Sequence, residues 1–231
     1  MKRRPADTRG KTDFGWLNSR HSFSFGEYHD PEWIQFGPLR VINDDRVAGG
    51  GGFPPHPHRD MEIISIVLEG RLAHKDSMGN GSTIGTGEVQ YMSAGQGVVH
   101  SEMNPSAEEP VHFLQIWIHP DRKGYPPAYD QIKAHPVAGQ WVPVAGKAEG
   151  AISIRQDAAI HWGRTGAGQE LLLNVPQGRR AWIQAMRGEG TAGGESLSAG
   201  DALILGPGES IRLEGGQDLL WFDLPAESPE A

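Results

Sequence analysis

Along this chain apolar residues come in short runs, alternating or continuous, that are cut off by Gly, Pro, Asn and Asp, while the three-and-four spacing of an amphipathic helix is scarce. The segments 39–42, 61–68, 88–92, 111–118, 151–155, 171–175, 181–186, 202–205 and 219–224 read as strands. Between them, Gly79-Asn80-Gly81 and Gly193-Gly194 offer the positive φ that tight hairpins need. Residues 129–134 read as a short helical or irregular connection, and Asn43-Asp44-Asp45 as a turn closed by its own side chains.

The pattern also repeats. Ile66-Val67-Leu68-Glu69-Gly70 is answered by Gln184-Ala185-Met186-Arg187-Gly188, each a strand ending in a glycine turn. Thr86-Gly87-Glu88 through Ala94-Gly95 is answered, at the same glycine spacing, by Ala199-Gly200-Asp201 through Pro207-Gly208. An all-β chain follows, built as two tandem sandwich or barrel domains at 1–125 and 151–231, with 126–150 connecting them.

Composition narrows the function. The chain has 231 residues, 37% of them hydrophobic, which is enough for a substantial core, and no apolar run approaches a membrane span. A net charge of -8 argues against direct contact with nucleic acid. The basic start, Met1-Lys2-Arg3-Arg4, is followed by polar residues rather than the apolar core of a secretory leader, so a cytoplasmic location is expected. The tail 226–231 reads as disordered. With no cysteine, any metal must be held by imidazole and carboxylate.

Two histidine clusters meet that condition: His56-Pro57-His58 and His100-Ser101-Glu102. In an extended segment residues i and i+2 project to one face, so each cluster presents two ligands in one direction. Either cluster alone also suits a polar surface loop. Together, three imidazoles and one carboxylate make a site for Fe(II), Mn, Ni, Cu or Zn that leaves positions open on an octahedral ion. His21, His74, His112, His119, His135 and His161 have no partner at ligand spacing and read as surface or hydrogen-bonded core residues.

Gly50, His56-Pro57-His58, Glu62 and Gly70 resemble the first cupin motif, and Gly87 through Gly95 to His100 and Asn104 resembles the second. The departures from the general cupin pattern are those of the pirin subgroup, whose signature resembles Pro55-His56-Pro57-His58-Arg59-Asp60-Met61-Glu62 and Met92-Ser93-Ala94-Gly95-Gln96-Gly97-Val98-Val99-His100-Ser101-Glu102. His21-Ser22-Phe23-Ser24-Phe25-Gly26 and Gln115-Ile116-Trp117-Ile118 are similar to pirins as well, so the resemblance covers roughly residues 10–125. The remainder is similar to the second cupin of bacterial pirin-like quercetinases, which has lost its metal site. Here Pro176 and Leu213 stand where His58 and His100 would.

The resemblance implies a bicupin of jelly-roll domains with one mononuclear metal, most often iron, held by His56, His58, His100 and Glu102. Glu62 then falls outside the ligands, as a supporting group or an ion-pair partner of Arg59. It further implies a quercetin 2,3-dioxygenase, which inserts both atoms of O2 into a flavonol and releases CO, with Glu102 doubling as the base for the flavonol hydroxyl. Phe23, Phe25, Phe53, Met92 and Trp117 are candidate walls for a flat substrate, the competing reading being ordinary core. The alternative is a redox or transcriptional co-regulator that binds a protein partner through its metal state, and a third reading is a zinc isomerase or hydrolase. The expected partners are a flavonol and O2, with no membrane or nucleic acid, and the expected state is a monomer.

Overall fold

In a computed structural model, residues 1–166 and 168–226 are described, so all but the first residue of the tail lies outside the described part. The described residues form nineteen strands, β1 to β19 in chain order, and one 3₁₀ turn at Ala6–Thr8. They divide into two compact units.

The first unit comprises Arg9–Lys133 with Ile154–Gln156. Its larger sheet is antiparallel and runs in the order β12 (Ala128–Lys133), β9 (Glu88–Ser93), β6 (Glu62–Glu69), β11 (Val111–Ile118), β4 (Leu39–Val47), β3 (Leu17–His21) and β2 (Gly10–Asp13). Its smaller sheet runs β5 (Gly52–His58), β10 (Val98–Met103), β7 (Arg71–Asp76) and β8 (Gly81–Gly85). Leu17, Val47, Val67 and Phe113 from the larger sheet pack with Leu72 and Ile84 from the smaller, so the sheets meet face to face around a buried core. Each such side chain, removed from water, contributes about 1.5–3 kcal/mol.

The second unit is a single sheet that bends over its own core. β1 (Lys2–Arg4), β18 (Ala202–Leu205), β16 (Arg179–Ala192), β19 (Ser210–Pro225), β14 (Ala159–Arg164) and β13 (Trp141–Ala145) pair in that order, with β15 (Leu171–Asn174) on β19 and β17 (Glu195–Ser198) on β16. A bulge between Ala185 and Arg187 lets the long β16–β19 pair bend, so that β16 meets β18 at one end and β17 at the other. The N-terminal residues join this unit because β1 pairs with β18 and Arg3 bonds Asp201 at 2.6 Å. The stretch 126–150 supplies β12 to the first unit and β13 to the second.

The internal repeat has a structural counterpart. Gly87 N–H donates to Val67 O and Gly200 N–H to Ala185 O, each at 2.9 Å, at matching points of the two units. Gly70 and Gly188 both take positive φ, +76° and +79°, and a Cβ on either would fall within 2.7 and 2.0 Å of a facing carbonyl.

Three local expectations are corrected. Asn43-Asp44-Asp45 is no turn but the middle of β4, bonded on both sides by β3 and β11. The polar triplet is tolerated there because Asp44 accepts from His112 Nε2 at 2.7 Å and pairs with Arg9, while Asn43 and Asp45 line a cavity. Residues 129–134 fall largely in β12, held in register by β9 from Ala128↔Ser93 to Lys133↔Glu88. Residues 151–155 are not a strand beyond one bridge at Ile152, the strand in that region being β14.

Candidate metal centre

β5 carries Pro54, Pro55 and Pro57, which have no N–H to give to a ladder, and it occupies the edge of the smaller sheet, where none is required on its outer side. On its inner side β10 pairs with it, placing His100 directly opposite His56. A register shift between His100 and Glu102 then sets Glu102 opposite Phe53, a bulge that re-aims the strand at this point.

The outcome is a cluster of three imidazoles. The ring centroids of His56 and His58 lie 4.8 Å apart, those of His56 and His100 4.5 Å, and those of His58 and His100 4.8 Å. One nitrogen from each lies within 4.8 Å of the others. His56 Nδ1 donates to Pro54 O at 2.8 Å, which leaves the lone pair on Nε2 free. Both nitrogens of His100 are buried without a hydrogen-bond partner among the described residues, a state that costs free energy unless something else is coordinated. Burial, then repulsion from His56, pushes His58 down to about 4, and burial and the neighbouring imidazoles push His100 down to about 3. Both rings are therefore neutral at pH 7, the form that ligates metal.

His100 also lies within 4.8 Å, nitrogen to ligand atom, of Glu102 and His74. His74 faces Glu102 across the β7–β10 ladder, a long-range pairing that spacing along the chain does not disclose. Its Nε2 meets Asp76 Oδ2 at 3.1 Å and its Nδ1 accepts from Gln90 Nε2 at 3.3 Å, so both nitrogens are committed and it packs against His100 without offering a lone pair. Glu102 is 2% exposed and accepts from Ser65 Oγ at 3.0 Å and Gln115 Nε2 at 2.5 Å. Burial pushes its carboxyl up to about 7. A divalent cation beside it would favour the ionised form, so the donor set of three imidazoles and this carboxylate fits such an ion.

Glu62 does not pair with Arg59. It is 1% exposed and accepts from Tyr91 Oη, from Ser93 Oγ at 2.6 Å and from the Arg155 N–H at 3.0 Å, so its work is to fasten β6, β9 and residues 154–156 together.

A cavity of about 420 Å³ opens onto the cluster. Phe14, Leu17, Phe25, Tyr28, Phe53 and Trp117 form its apolar walls, and His56, His58 and Glu102 reach it from the metal side. Trp117 stands edge-on to His58 with centroids 4.9 Å apart. Phe23 and Met92 are not part of these walls: Phe23 is 1% exposed in the core, and Met92 packs with Ile63 and Val98. Ser19, His21, Asn43, Asp45 and Gln115 add polar groups to the lining. Register aligns His21, Asn43 and Gln115 with Ser65 and Gln90 beyond the cavity, across β3, β4, β11, β6 and β9, a cross-strand row that sequence reading did not reveal.

Two antiparallel cupin units, only one of which gathers a group of metal-competent side chains among the described residues, define a bicupin with a single candidate metal centre. The Pirin family model matches residues 2–118, and that of the quercetinase C-terminal cupin domain matches 144–224. The chain belongs to the pirin family. It is 41% identical over 225 residues to the quercetin 2,3-dioxygenase of Escherichia coli strain K12, covering 96% of this chain and 97% of that protein. The crystal structure of YhhW from Escherichia coli superposes with a TM-score of 0.93 at 38% identity over 99% of both chains. The structure of bacterial pirin YhhW in complex with nickel(II), covering 98% of this chain and 99% of that one, gives 0.92 at 38% identity. No helix among the described residues is long and apolar enough to cross a membrane.

Proposed function

We propose that this protein is a metal-dependent flavonol dioxygenase in which His56, His58, His100 and Glu102 hold one divalent metal. Iron(II) is the ion we assign, with Mn, Ni, Cu and Zn suited to the same donors. The observation that carries the reading is the continuity of the imidazole cluster with an aromatic-walled cavity of about 420 Å³, within the size range of small-molecule sites. The named activity of the Escherichia coli relative and the nickel(II) complex of YhhW support it.

A redox-competent divalent ion, when bound, supplies a Lewis-acid anchor for the flavonol oxygens and an electronic link to O2. The remaining work falls to the protein. Glu102, buried and lining the cavity, is placed to take the 3-hydroxyl proton. Ser65 and Gln115 fix the orientation of that carboxylate. Phe25, Phe53 and Trp117 offer flat apolar surface to the ring system and keep water from it. The reaction consumes one flavonol and one O2, breaks both ring carbon–carbon bonds of the hydroxyl-bearing carbon, places both atoms of O2 in the ester product and releases that carbon with its own oxygen as CO. We place the protein in the cytoplasm, acting as a monomer with no nucleic-acid partner.

The test is anaerobic loading with Fe(II), Mn(II), Ni(II) or Cu(II), followed by exposure to air with quercetin. Loss of flavonol absorbance with stoichiometric CO, abolished in His56→Ala and Glu102→Ala, is the expected result. Stoichiometric metal binding without CO from any of these ions would refute the dioxygenase and favour the co-regulator.

A further inference from the structure

The cavity holds polar groups that the metal centre does not use. Asn43 and Asp45 lie two residues apart on β4, hence on one face and about 7 Å apart along the strand. Each is only 3% exposed, yet both line the cavity. Asn43 Oδ1 accepts from His21 Nδ1 at 2.7 Å, a bond that does not use its Nδ2. Asp45 Oδ1 accepts from Ser19 Oγ, a bond that does not use its Oδ2. His21 is itself fixed by Thr12 Oγ1 at 2.8 Å and by the facing rings of Phe25 and Tyr28.

The cavity lining thus includes a carboxyl and an amide, neighbours on one strand face and each held by a bond to one of its oxygens. The neighbouring inward residues, Leu17, Val47 and Phe113, show that apolar side chains fit this part of the unit, so packing does not require the carboxyl. A phenolic hydroxyl satisfies both groups: its O–H donates to Asp45 Oδ2 while its own or an adjacent oxygen accepts from Asn43 Nδ2. A bare ring leaves both groups unmet.

We propose that Asp45, with Asn43 beside it, is the specificity-determining anchor for a second hydroxyl of the substrate, distinct from the one directed at the metal centre. The site accordingly selects flat polyhydroxylated aromatics over those with a single hydroxyl. This inference rests on the flavonol reading given above.

Quercetin and 3-hydroxyflavone are the probes, because they share the metal-directed oxygens and differ in the remaining hydroxyls. Two quantities are compared in wild type, Asp45→Asn and Asn43→Ala: kcat/KM of the metal-loaded enzyme, and Kd for the metal-free protein from quenching of tryptophan fluorescence. Wild type should prefer quercetin at least tenfold in both, since a site built to hydrogen-bond a hydroxyl rejects the analogue lacking it. Asp45→Asn should lower that ratio at least fivefold, mainly through quercetin, with an unchanged thermal midpoint. Asn43→Ala, which leaves the carboxyl in place, should lower it in the same direction and serves as the test if Asp45→Asn does not fold. A wild-type ratio near one, a ratio unmoved in both folded variants, or no binding of either flavonol overturns the proposal. Absence of turnover with an intact, Asp45-dependent Kd ratio would instead refute the dioxygenase reading alone.

Discussion

Replacing Glu62 by Ala should be among the most damaging single changes in the first unit. The carboxylate is 1% exposed and receives two hydroxyl donors and the Arg155 N–H at 3.0 Å. Tyr91 and Ser93 can turn their hydroxyls elsewhere, but a backbone N–H cannot rotate, so truncation strands Arg155 and opens a buried gap. Unmet donors cost about 1–3 kcal/mol each and charge-assisted bonds are worth about 1.5–3, which together give about 3–5 kcal/mol for Glu62→Ala. Glu62→Gln keeps one acceptor for Arg155 N–H and Tyr91, and turns its amide toward Ser93 Oγ, which already accepts from Arg155 Nη1 at 3.0 Å. About 1–2 kcal/mol is expected for it. Tyr91→Phe combined with Glu62→Ala should cost less than the sum of the two alone, by about 1–3 kcal/mol. Native-state hydrogen exchange at the amides of β6, β9 and Arg155 isolates this unit from the other, with urea unfolding as the global check. The reasoning fails if Glu62→Ala stays within 1 kcal/mol of wild type or if Glu62→Gln is equally destabilising.

Other consequences are open to measurement. His74→Leu removes the ring against which His100 packs and should weaken Ni(II) binding about 10–100-fold in a chelator competition, with the fold retained by circular dichroism. Phe25→Leu withdraws an aromatic wall that meets Trp117 edge-on with centroids 5.4 Å apart; KM for quercetin should rise about tenfold while metal content holds. In the second unit, burial pushes Asp218 up, but the hydrogen bonds and charges of Arg164 and Arg187 outweigh it and hold its pKa below the ordinary value. A depressed folded pKa gives stability that is present above the unfolded value, about 3.9, and lost as pH falls through the folded one. The urea midpoint of Asp218→Asn should therefore lie below wild type at pH 7 and converge on it in acid.

What could be read from the chain follows the range of the interactions. His56 with His58, and His100 with Glu102, are local pairs whose two-residue period survives folding, and the structure brings the three imidazoles together. The glycine turns were equally local. Asn43-Asp44-Asp45 was misread because turn chemistry and a buried polar strand look alike until the partners, His112 and the cavity, are known. His74 and the row from His21 to Gln90 depend on cross-strand register, which no spacing along the sequence encodes. Glu62 shows the same blindness in reverse: Arg59 was near in sequence, but the groups that claim the carboxylate come from 29, 31 and 93 residues away.

Three of the seven residues of β5 are proline, and two of the clustered imidazoles sit among them. Each ring fixes φ near −65° in the unfolded chain as well as the folded one, so this segment loses less conformational entropy on ordering than any other strand of its length would, by about 0.4–1 kcal/mol per proline. A coordinating ion therefore meets imidazoles whose backbone freedom was already restricted before it arrived. The same prolines remove three of the seven N–H groups of this edge strand, so it offers a foreign strand a broken ladder to pair with.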